Sequence, residues 1–516
     1  MLKATLRSAV LLGLLAISAP SYAEVQNVKV GGEVTVRGFA RKSMRASEDV
    51  INGVGGTSTG AVFPGNGQYG SSQDNFMQQL TAINVGADLT ENVSTQLRVI
   101  NQRVWGNLTQ DAVDGTGDAN QVDLSLANVT LKELFYSPLS VTLGRQRLWY
   151  GRGFIVGNRL LEGDFDPEQA LGADEFSDMT GFDAIKGVLD LSQISPIPVT
   201  LDAVYAKVDE NEISVNGATD SSADDKTLLG LNLGTKFSMG EAEIYYWNKR
   251  NNETENGQAF TLDTNPQSNT LGVRGSVAPV EGLSTWGEMA YQWGHRMTTP
   301  FSFDAEGATG DPYSAWAMNF GADYTAKEVA WSPTVGAEWI FYSGSEGAGC
   351  ANSNFDTDCT DTGEFPYASA IGGWEPVYRG SFSTAIREFQ GAGLYMPAQS
   401  AAVITNISGS NTQYNPLTNS YTNEHQFGLH GTVRPLQDLT VDNRYTWFIA
   451  DEGIVPVAGS KRHSYIGGEY DLQASYNYTD DVQFGLIYAV FTPGSVFRHP
   501  FDDIAQELVT SVDVKF

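Results

Sequence analysis

The chain has 516 residues, of which 41% are hydrophobic and 18% charged, and its formal net charge at pH 7 is −30. This acidic excess argues against nucleic acid as a partner, because neutralising phosphates requires a basic surface. After the first 23 residues no stretch approaches the ~20 continuous apolar residues of a membrane helix, so a membrane-spanning chain would have to be a closed β-barrel.

The first 23 residues have the features of a secretory signal. Lys3 and Arg7 supply positive charge, residues 9–19 form an apolar core, and residues 21–23 read Ser-Tyr-Ala, a small-x-small cleavage site. An uncleaved anchor is the alternative, but the apolar core is too short to span a bilayer. Cleavage would remove two positive charges and leave the mature chain at −32.

Residues 24–516 are expected to form a single barrel domain with one very long extracellular loop at about 343–421, which could fold partly over the mouth. That loop carries Cys350 and Cys359, the two cysteines of the chain. Exported proteins meet an oxidising periplasm, so a small loop disulfide is predicted. Two cysteines without a nearby histidine make a poor zinc site.

The mature chain alternates apolar and polar residues in short segments, separated by connections that are alternately long and short. Side chains alternate between the two faces of a strand, and transmembrane barrels combine this alternation with short periplasmic turns and long extracellular loops. Eighteen such segments occur. They are 26–41, 75–89, 93–107, 121–135, 139–150, 181–191, 199–208, 227–237, 241–249, 268–280, 283–295, 313–325, 332–342, 423–434, 438–448, 466–478, 482–491 and 508–516.

The last segment, LVTSVDVKF, is apolar on one face and ends on Phe516. This pattern looks like the closing strand and assembly signal of bacterial outer-membrane barrels. An amphipathic edge strand of a soluble sandwich is the alternative. The even segment count agrees with bacterial barrels and puts the long connections outside the cell. The predicted fold is therefore an all-β, transmembrane antiparallel β-barrel of eighteen strands, with sixteen or twenty as alternatives.

Four arginines lie within fifteen residues of this otherwise acidic chain: Arg145, Arg147, Arg152 and Arg159. Arginine stays charged and offers a planar fork of donors that can hold a carboxylate bidentately. A loop after the fifth strand that folds inward would bring them to a constriction. Alternation along the strands predicts further lumen-facing arginines, namely Arg37, Arg98, Arg274 and Arg444.

The alternative role for each of these arginines is to brace the barrel wall through ion pairs. Carboxylates at suitable positions are Asp183, Glu243, Glu288, Glu338, Asp442, Glu469 and Asp471. Charged rings and constrictions determine which ions pass a pore. Mutation of an arginine that contacts the cargo should therefore change ion selectivity, whereas mutation of an arginine that braces the wall should not.

The same region carries a motif. Gly144-Arg145-Gln146 is followed by Tyr150-Gly151 and later by Phe182-Asp183. This motif, with the strand count, resembles the alginate-export family of outer-membrane porins. The resemblance implies an eighteen-stranded barrel whose arginine-lined pore passes an anionic polysaccharide.

No cofactor is predicted, although acidic loop residues could bind calcium through oxygen ligands. Solvated loop charge is the alternative interpretation. The residues are Asp111, Asp114, Asp118, Asp220, Asp224, Asp225, Asp356, Asp358 and Asp361.

The sequence therefore predicts a passive porin in the outer membrane of a Gram-negative bacterium. Its partners would be outer-membrane lipid and hydrophilic, anionic solutes such as acidic oligo- or polysaccharides, with the oligomeric state open. The one Gly-x-Ser-x-Gly sequence, residues 56–60, falls in a Gly/Ser-rich loop and not on the strand-to-helix turn that a nucleophile elbow requires, and no enzyme activity is predicted. Two alternatives remain: a barrel that sheathes a periplasmic partner, and a surface receptor or adhesin that acts through its long loops. The short predicted periplasmic turns favour the channel.

Overall fold

The computed structural model describes thirteen stretches of the chain. They are residues 26–43, 73–105, 122–158, 176–209, 213–215, 218–220, 226–251, 267–296, 311–344, 373–390, 422–454, 463–496 and 503–516. Some predicted features lie outside them: the signal segment, Arg159, the Cys350–Cys359 disulfide, most of the loop at 343–421, and the acidic loop residues other than Asp220.

Twenty β-strands lie within the described residues. They are β1 (Gln26–Lys42), β2 (Gln73–Thr90), β3 (Val93–Val104), β4 (Asp123–Leu131), β5 (Leu139–Gln146), β6 (Phe182–Asp190), β7 (Val199–Asp209), β8 (Ile213–Val215), β9 (Ala218–Asp220), β10 (Lys226–Phe237), β11 (Gly240–Asn251), β12 (Gln267–Val280), β13 (Leu283–Arg296), β14 (Asp311–Thr325), β15 (Thr334–Tyr342), β16 (Glu424–Leu436), β17 (Leu439–Ile454), β18 (His463–Asn477), β19 (Val482–Pro493) and β20 (Ala505–Lys515).

Eighteen of these strands form one closed antiparallel sheet, while β8 and β9 pair separately as a short hairpin. Each barrel strand pairs with its neighbours along the chain, and β7 pairs with β10 across the hairpin. The sheet closes where β20 pairs with β1, with Val514 opposite Val34. The predicted eighteen-stranded barrel is thereby confirmed, because every predicted segment overlaps one of these strands.

The two faces of the wall differ as the alternation predicts. On β10, Leu229, Leu231 and Leu233 are 39%, 50% and 40% exposed, whereas Leu228 and Asn232, which have the opposite parity, are buried. The exposed leucines form the lipid-facing surface, and the buried positions face the lumen. Among the described residues, no helix is long and apolar enough to cross a membrane.

Aromatic residues mark the two rims of the outer surface. Tyr291 stacks beside Trp293 and Trp316 towards the long-loop end, and Tyr478 contacts Phe484 beside a short turn. Such aromatic belts sit at the two membrane–water interfaces of transmembrane barrels. The barrel is therefore oriented with its short turns at one interface and its long loops beyond the other.

Two stretches that follow strands on the long-loop side fold back into the lumen. We call residues 147–158 the first inner segment and residues 373–390 the second inner segment. Val156 of the first pairs in parallel with Tyr378 of the second. Main-chain hydrogen bonds join Tyr378 N to Ile155 O (2.9 Å), Gly157 N to Tyr378 O (2.7 Å) and Gly380 N to Gly153 O (2.8 Å). The two segments thus interlock inside the barrel.

The main hydrophobic core lies between these inner segments and the wall. Leu148 and Phe154 of the first segment and Trp374 of the second are buried in one cluster with lumen-facing wall residues, among them Trp247 and Tyr342. Part of the predicted long loop therefore lies inside the barrel rather than above it. The inner segments narrow the lumen that an eighteen-stranded wall alone would leave open.

Candidate pore lining

The first inner segment runs along the wall with alternating orientation. Leu148 and Tyr150 are buried against the wall, while Arg147 and Trp149 are exposed. This is the period-two alternation of an extended chain, here with the wall on one side and the lumen on the other. The polar and aromatic side chains of this segment therefore point into the remaining passage.

Tyr150 anchors this segment to the wall. Its hydroxyl donates to Asp202 Oδ2 (3.2 Å), which also accepts from Lys186 Nζ (3.1 Å), and its ring packs edge-on against Trp247. Burial, together with the negative charge of Asp202, raises the pKa of the Tyr150 hydroxyl. The hydroxyl thus stays neutral and keeps its proton for the bond to Asp202.

A tight turn at residues 151–153 reverses the first inner segment. Gly151 and Gly153 have φ values of +57° and +75°, which glycine adopts without strain. Gly153 N bonds to Tyr150 O (2.9 Å), and Tyr150 N bonds to Val156 O (3.0 Å). A Cβ on Gly151 would lie only 2.3 Å from Arg274 Cδ on the wall. The two glycines therefore bring Arg152, between them, close to the wall at the tip of the turn.

The second inner segment is fastened by buried carboxylates of β18. The main-chain N–H groups of Ile386 and Arg387 donate to the two oxygens of Glu469 (2.6 and 2.8 Å), and Ala385 N donates to Asp471 Oδ1 (3.1 Å). These N–H groups lie at the start of a five-residue helix, Ile386–Gln390, where they have no partner within the helix. The wall thus supplies the acceptors that the segment needs to lie inside the barrel.

Three of the predicted arginines project into the lumen and are engaged by carboxylates. Arg98 bonds to Asp178 and Glu33, Arg274 to Glu241 (2.9 Å) and Glu243 (2.6 Å), and Arg444 to Glu338 (3.0 Å). Arg274 pairs with carboxylates of the neighbouring strand β11, whereas Arg98 reaches β1 across β2 and Arg444 reaches β15 across β16. Asp178 lies on the chain that leads back to β6. These three arginines brace the wall, and their positive charge is largely neutralised.

Arg145 occupies a different face. It forms a bidentate pair with Asp183 across from it on β6, at 2.9 and 2.6 Å. Ile185, two residues after Asp183 and on the same face, is 52% exposed on the lipid-facing side. The strand register therefore places Arg145 on the outer surface of the barrel and not in the pore lining where the sequence predicted it.

Arg147 and Arg152 are the exposed arginines of the first inner segment. The Arg147 side chain is 53% exposed and shares Asp178 with Arg98 (2.6 Å to Oδ1). The Arg152 guanidinium lies 4.0 Å from the centre of the Trp286 ring. It forms no ion pair with a described carboxylate, although its charge acts on the buried carboxyl groups of Glu288 and Glu338. Both arginines are exposed.

Comparison with known proteins identifies the family. The sequence profile described as alginate export matches residues 67–377, more than half of the chain. The chain belongs to the alginate-export family. It is therefore a porin of the outer membrane of a Gram-negative bacterium and not an enzyme. No curated protein matches its sequence.

Solved structures of outer-membrane porins are similar to this alginate-export barrel. OccAB3 of Acinetobacter baumannii is 11% identical over 95% of this chain and 99% of that chain, with a TM-score of 0.50. OccAB1 of the same organism is 10% identical (96% and 99% covered, TM-score 0.49), and OccK8 (OprE) of Pseudomonas aeruginosa is 12% identical (95% and 98% covered, TM-score 0.48). At these identities the likeness concerns the fold alone.

Two arginines that hold the second inner segment of this alginate-export barrel in place were not predicted from the sequence. Arg379 is buried and bonds to Glu388 and to the Tyr342 hydroxyl, and Arg387 is buried against Glu424 (2.6 Å). They lie in an insertion where apolar and polar residues do not alternate with the period of a strand. The sequence pattern therefore could not predict which way these two side chains point. The available signal was that they are the only positive charges between residues 343 and 421.

Metal ligation finds no support in the part of the chain that the structure describes. There, no three histidine, cysteine, aspartate or glutamate side chains form a group that could hold a metal ion. The acidic loop residues considered for calcium lie outside the described stretches, apart from the backbone of Asp220. Calcium binding by the loops therefore stays a prediction.

Breaking the Arg387–Glu424 pair should destabilise the barrel. The two side chains are 1% and 0% exposed, so Arg387→Met leaves a carboxylate buried without its cation. Such a change costs about 3–5 kcal/mol, and adding Glu424→Leu should recover most of that loss. Denaturant titration of the refolded protein in lipid vesicles measures the free energy of unfolding.

The matched control is Lys327→Met, because Lys327 pairs with Glu281 in an exposed position (3.1 Å). Its effect should stay within about 1 kcal/mol. Equal losses for Arg387→Met and Lys327→Met would contradict the view that the buried pair holds the second inner segment.

Proposed function

We propose that this porin passes anionic, hydrophilic solutes, such as acidic oligo- or polysaccharides, through a constriction where Arg147 and Arg152 select them. The observation that carries the proposal is the pair of exposed, incompletely neutralised arginines on a segment that narrows the lumen. An arginine fork binds a carboxylate in plane with two parallel hydrogen bonds.

The overall charge of −30 does not oppose anion passage at this point. At physiological ionic strength the Debye length is about 8 Å, so exposed charges farther away are largely screened. A narrow passage with low-dielectric walls also focuses the field of the charges that line it. The local excess of positive charge at Arg147 and Arg152 therefore sets the preference.

The braced arginines contribute less to selection. Arg98, Arg274 and Arg444 each contact a carboxylate, so the net charge at those positions of the lumen is small. Their part in the proposed function is to hold the wall and the inner segments in place. Selection then depends on two side chains whose contacts with a solute are weak enough to release it, as conduction requires.

The alternative of a sheath for a periplasmic partner finds little support. Described connections on the short-turn side contain few residues: β2 ends at Thr90 and β3 begins at Val93, and β12 ends at Val280 before β13 begins at Leu283. They offer little surface to a partner. The receptor alternative depends on loop residues outside the described stretches.

Liposome swelling tests the proposed cargo directly. Proteoliposomes containing the porin are diluted into uronate oligomers or into neutral oligosaccharides of the same length, and the initial rate of swelling is read by light scattering. The proposal predicts faster entry of the uronate oligomers. Equal rates, or faster entry of the neutral sugars, would overturn the anionic cargo while leaving a porin of another specificity.

A further inference from the structure

A row of polar and charged residues crosses the outer surface of five consecutive barrel strands at their long-loop ends. Arg145 of β5 lies opposite Asp183 of β6, which in turn lies opposite Lys207 of β7. Lys207 lies opposite Thr227 of β10, and Thr227 lies opposite Arg250 of β11. Each of these residues is within two positions of the long-loop end of its strand. We call these five residues the basic row.

An apolar row borders the basic row on the side of the short turns. It contains Ile185, Tyr205 and Leu229, which lie opposite one another on β6, β7 and β10 and are exposed. Each of them is two positions from a member of the basic row on its own strand, so the two rows share the outer face of the wall. Residues of the opposite parity, such as Ala206 and Leu228, are buried. The basic row therefore lies directly beside the lipid-facing surface.

The aromatic rim shows that the basic row lies at the level of the lipid headgroups. Arg250 is two residues beyond Asn248, towards the long loops, and the pairing of Asn248 continues through Asn269 to Trp293. Trp293 belongs to the aromatic rim at the long-loop end. Aromatic belts lie at the membrane–water interface, so a charge just beyond the belt is next to headgroups and not acyl chains.

The charge of the basic row is opposite to that of the chain. The row carries three basic side chains and one acidic side chain, whereas the formal net charge of the chain is −30. Asp183 accepts two hydrogen bonds from Arg145 (2.9 and 2.6 Å), and Arg250 is exposed, with its Nε donating to Asn248 Oδ1 (3.1 Å). The surplus of positive charge is complementary to an anionic headgroup.

The spacing of the strands fits a ligand with phosphate groups. Neighbouring strands are about 4.8 Å apart, so the main chain at Lys207 is roughly 10 Å from that at Arg145 and from that at Arg250. An arginine fork binds a phosphate through two parallel hydrogen bonds, and a lysine ammonium binds one as a point charge. Lys207 and either arginine can therefore converge on one phosphate from two sides.

We propose that the basic row binds the phosphate groups of lipids in the outer leaflet of the outer membrane, with the acyl chains lying on the apolar row beside it. The two adjacent rows match the two parts of such a lipid, because one is positively charged and the other is apolar. This site lies on the outside of the wall, so it does not depend on the anion selectivity proposed for the pore.

Native mass spectrometry of the refolded porin in a neutral detergent tests the site. The probe is lipid A, a glycolipid that carries phosphate groups, and the reference ligand is the same glycolipid after removal of its phosphates. Each basic residue near an anionic lipid surface strengthens binding about 5-fold, so Lys207→Gln with Arg250→Gln should weaken lipid A binding roughly 30-fold. Binding of the dephosphorylated glycolipid should be weaker than that of lipid A and should not change in this variant.

Two further variants serve as controls. Lys132→Gln with Lys327→Gln removes the same charge from exposed lysines in connections on the short-turn side, and its affinity for lipid A should equal that of the unaltered porin. Lys207→Arg with Arg250→Lys keeps the charge of the basic row and should retain most of the binding. Circular dichroism verifies that each variant has folded.

Several results would overturn the lipid site. Equal affinities of the two double glutamine variants for lipid A would do so, as would equal binding of lipid A and its dephosphorylated form by the unaltered porin. Displacement of lipid A by inorganic phosphate would assign the basic row to free phosphate instead of a lipid. Loss of binding in the variant that keeps the charge would refute electrostatic attraction as the basis of recognition.

Discussion

Replacing Arg147 and Arg152 together by glutamine should abolish the anion preference of the channel. In water, the Coulomb attraction between one guanidinium and a monovalent anion 4 Å away is about 1 kcal/mol, and it is larger where the dielectric constant is lower. Two such charges amount to about 2 kcal/mol, a change of roughly 30-fold in the local concentration of a monovalent anion. The reversal potential under a salt gradient, recorded in planar bilayers, measures the permeability ratio.

The chain offers a matched control for this double variant. Arg145→Gln removes the same charge from the outer surface, where Arg145 is held by Asp183. Its permeability ratio should equal that of the unaltered protein. The salt dependence is a second check, because screening should shrink the effect of the double variant between 0.1 M and 1 M salt, as the Debye length falls from about 10 Å to about 3 Å. An anion preference that survives in the double variant would refute the assignment of these arginines.

Removing the second inner segment should raise the single-channel conductance several-fold. Replacing residues 345–421 by a short Gly-Ser turn deletes Arg379 and Arg387, and it leaves Gly153 O and Gly157 N of the first inner segment without their partners. A wall of eighteen strands without such segments leaves an aqueous channel. The anion preference should fall at the same time, because solutes then pass farther than a Debye length from Arg147 and Arg152.

A variant that keeps the segment shows whether the effect is due to its volume. Arg387→Met with Glu424→Leu retains all residues of the second inner segment and replaces a buried ion pair by apolar side chains of similar size. Its conductance should stay close to that of the unaltered porin. An unchanged conductance after the deletion itself would mean that residues 373–390 do not narrow the passage.

The wall could be derived from the sequence because lipid on one side and a polar lumen on the other impose a period of two. The same period correctly oriented Arg98, Arg274 and Arg444, which lie within regular strands. The period of two does not predict side-chain orientation after Gln146, where the chain leaves the sheet. Arg145 and Arg147 have the same parity, yet one faces outwards and the other faces the lumen.

The inner segments had no comparable signal. Val156 and Tyr378 are far apart in the chain, and nothing local to either residue encodes their pairing. Leu148 and Tyr150 fall at the end of the predicted fifth segment, although the strand itself ends at Gln146, and Phe154 falls in the predicted loop that follows. Their apolar side chains hinted at burial without giving a partner. The carboxylates of β18 looked like braces for arginines, whereas Glu469 accepts from main-chain N–H groups instead.

The central claim is that a local cluster of positive charge makes an acidic barrel anion-selective. The most direct test is the sign of the reversal potential of the unaltered porin across a planar bilayer with a tenfold gradient of potassium chloride. The account predicts the sign of a chloride-selective channel, and a further shift in permeability when uronate oligomers are added. A potassium-selective sign would contradict it, because the acidic loops would then govern the pore and not Arg147 and Arg152.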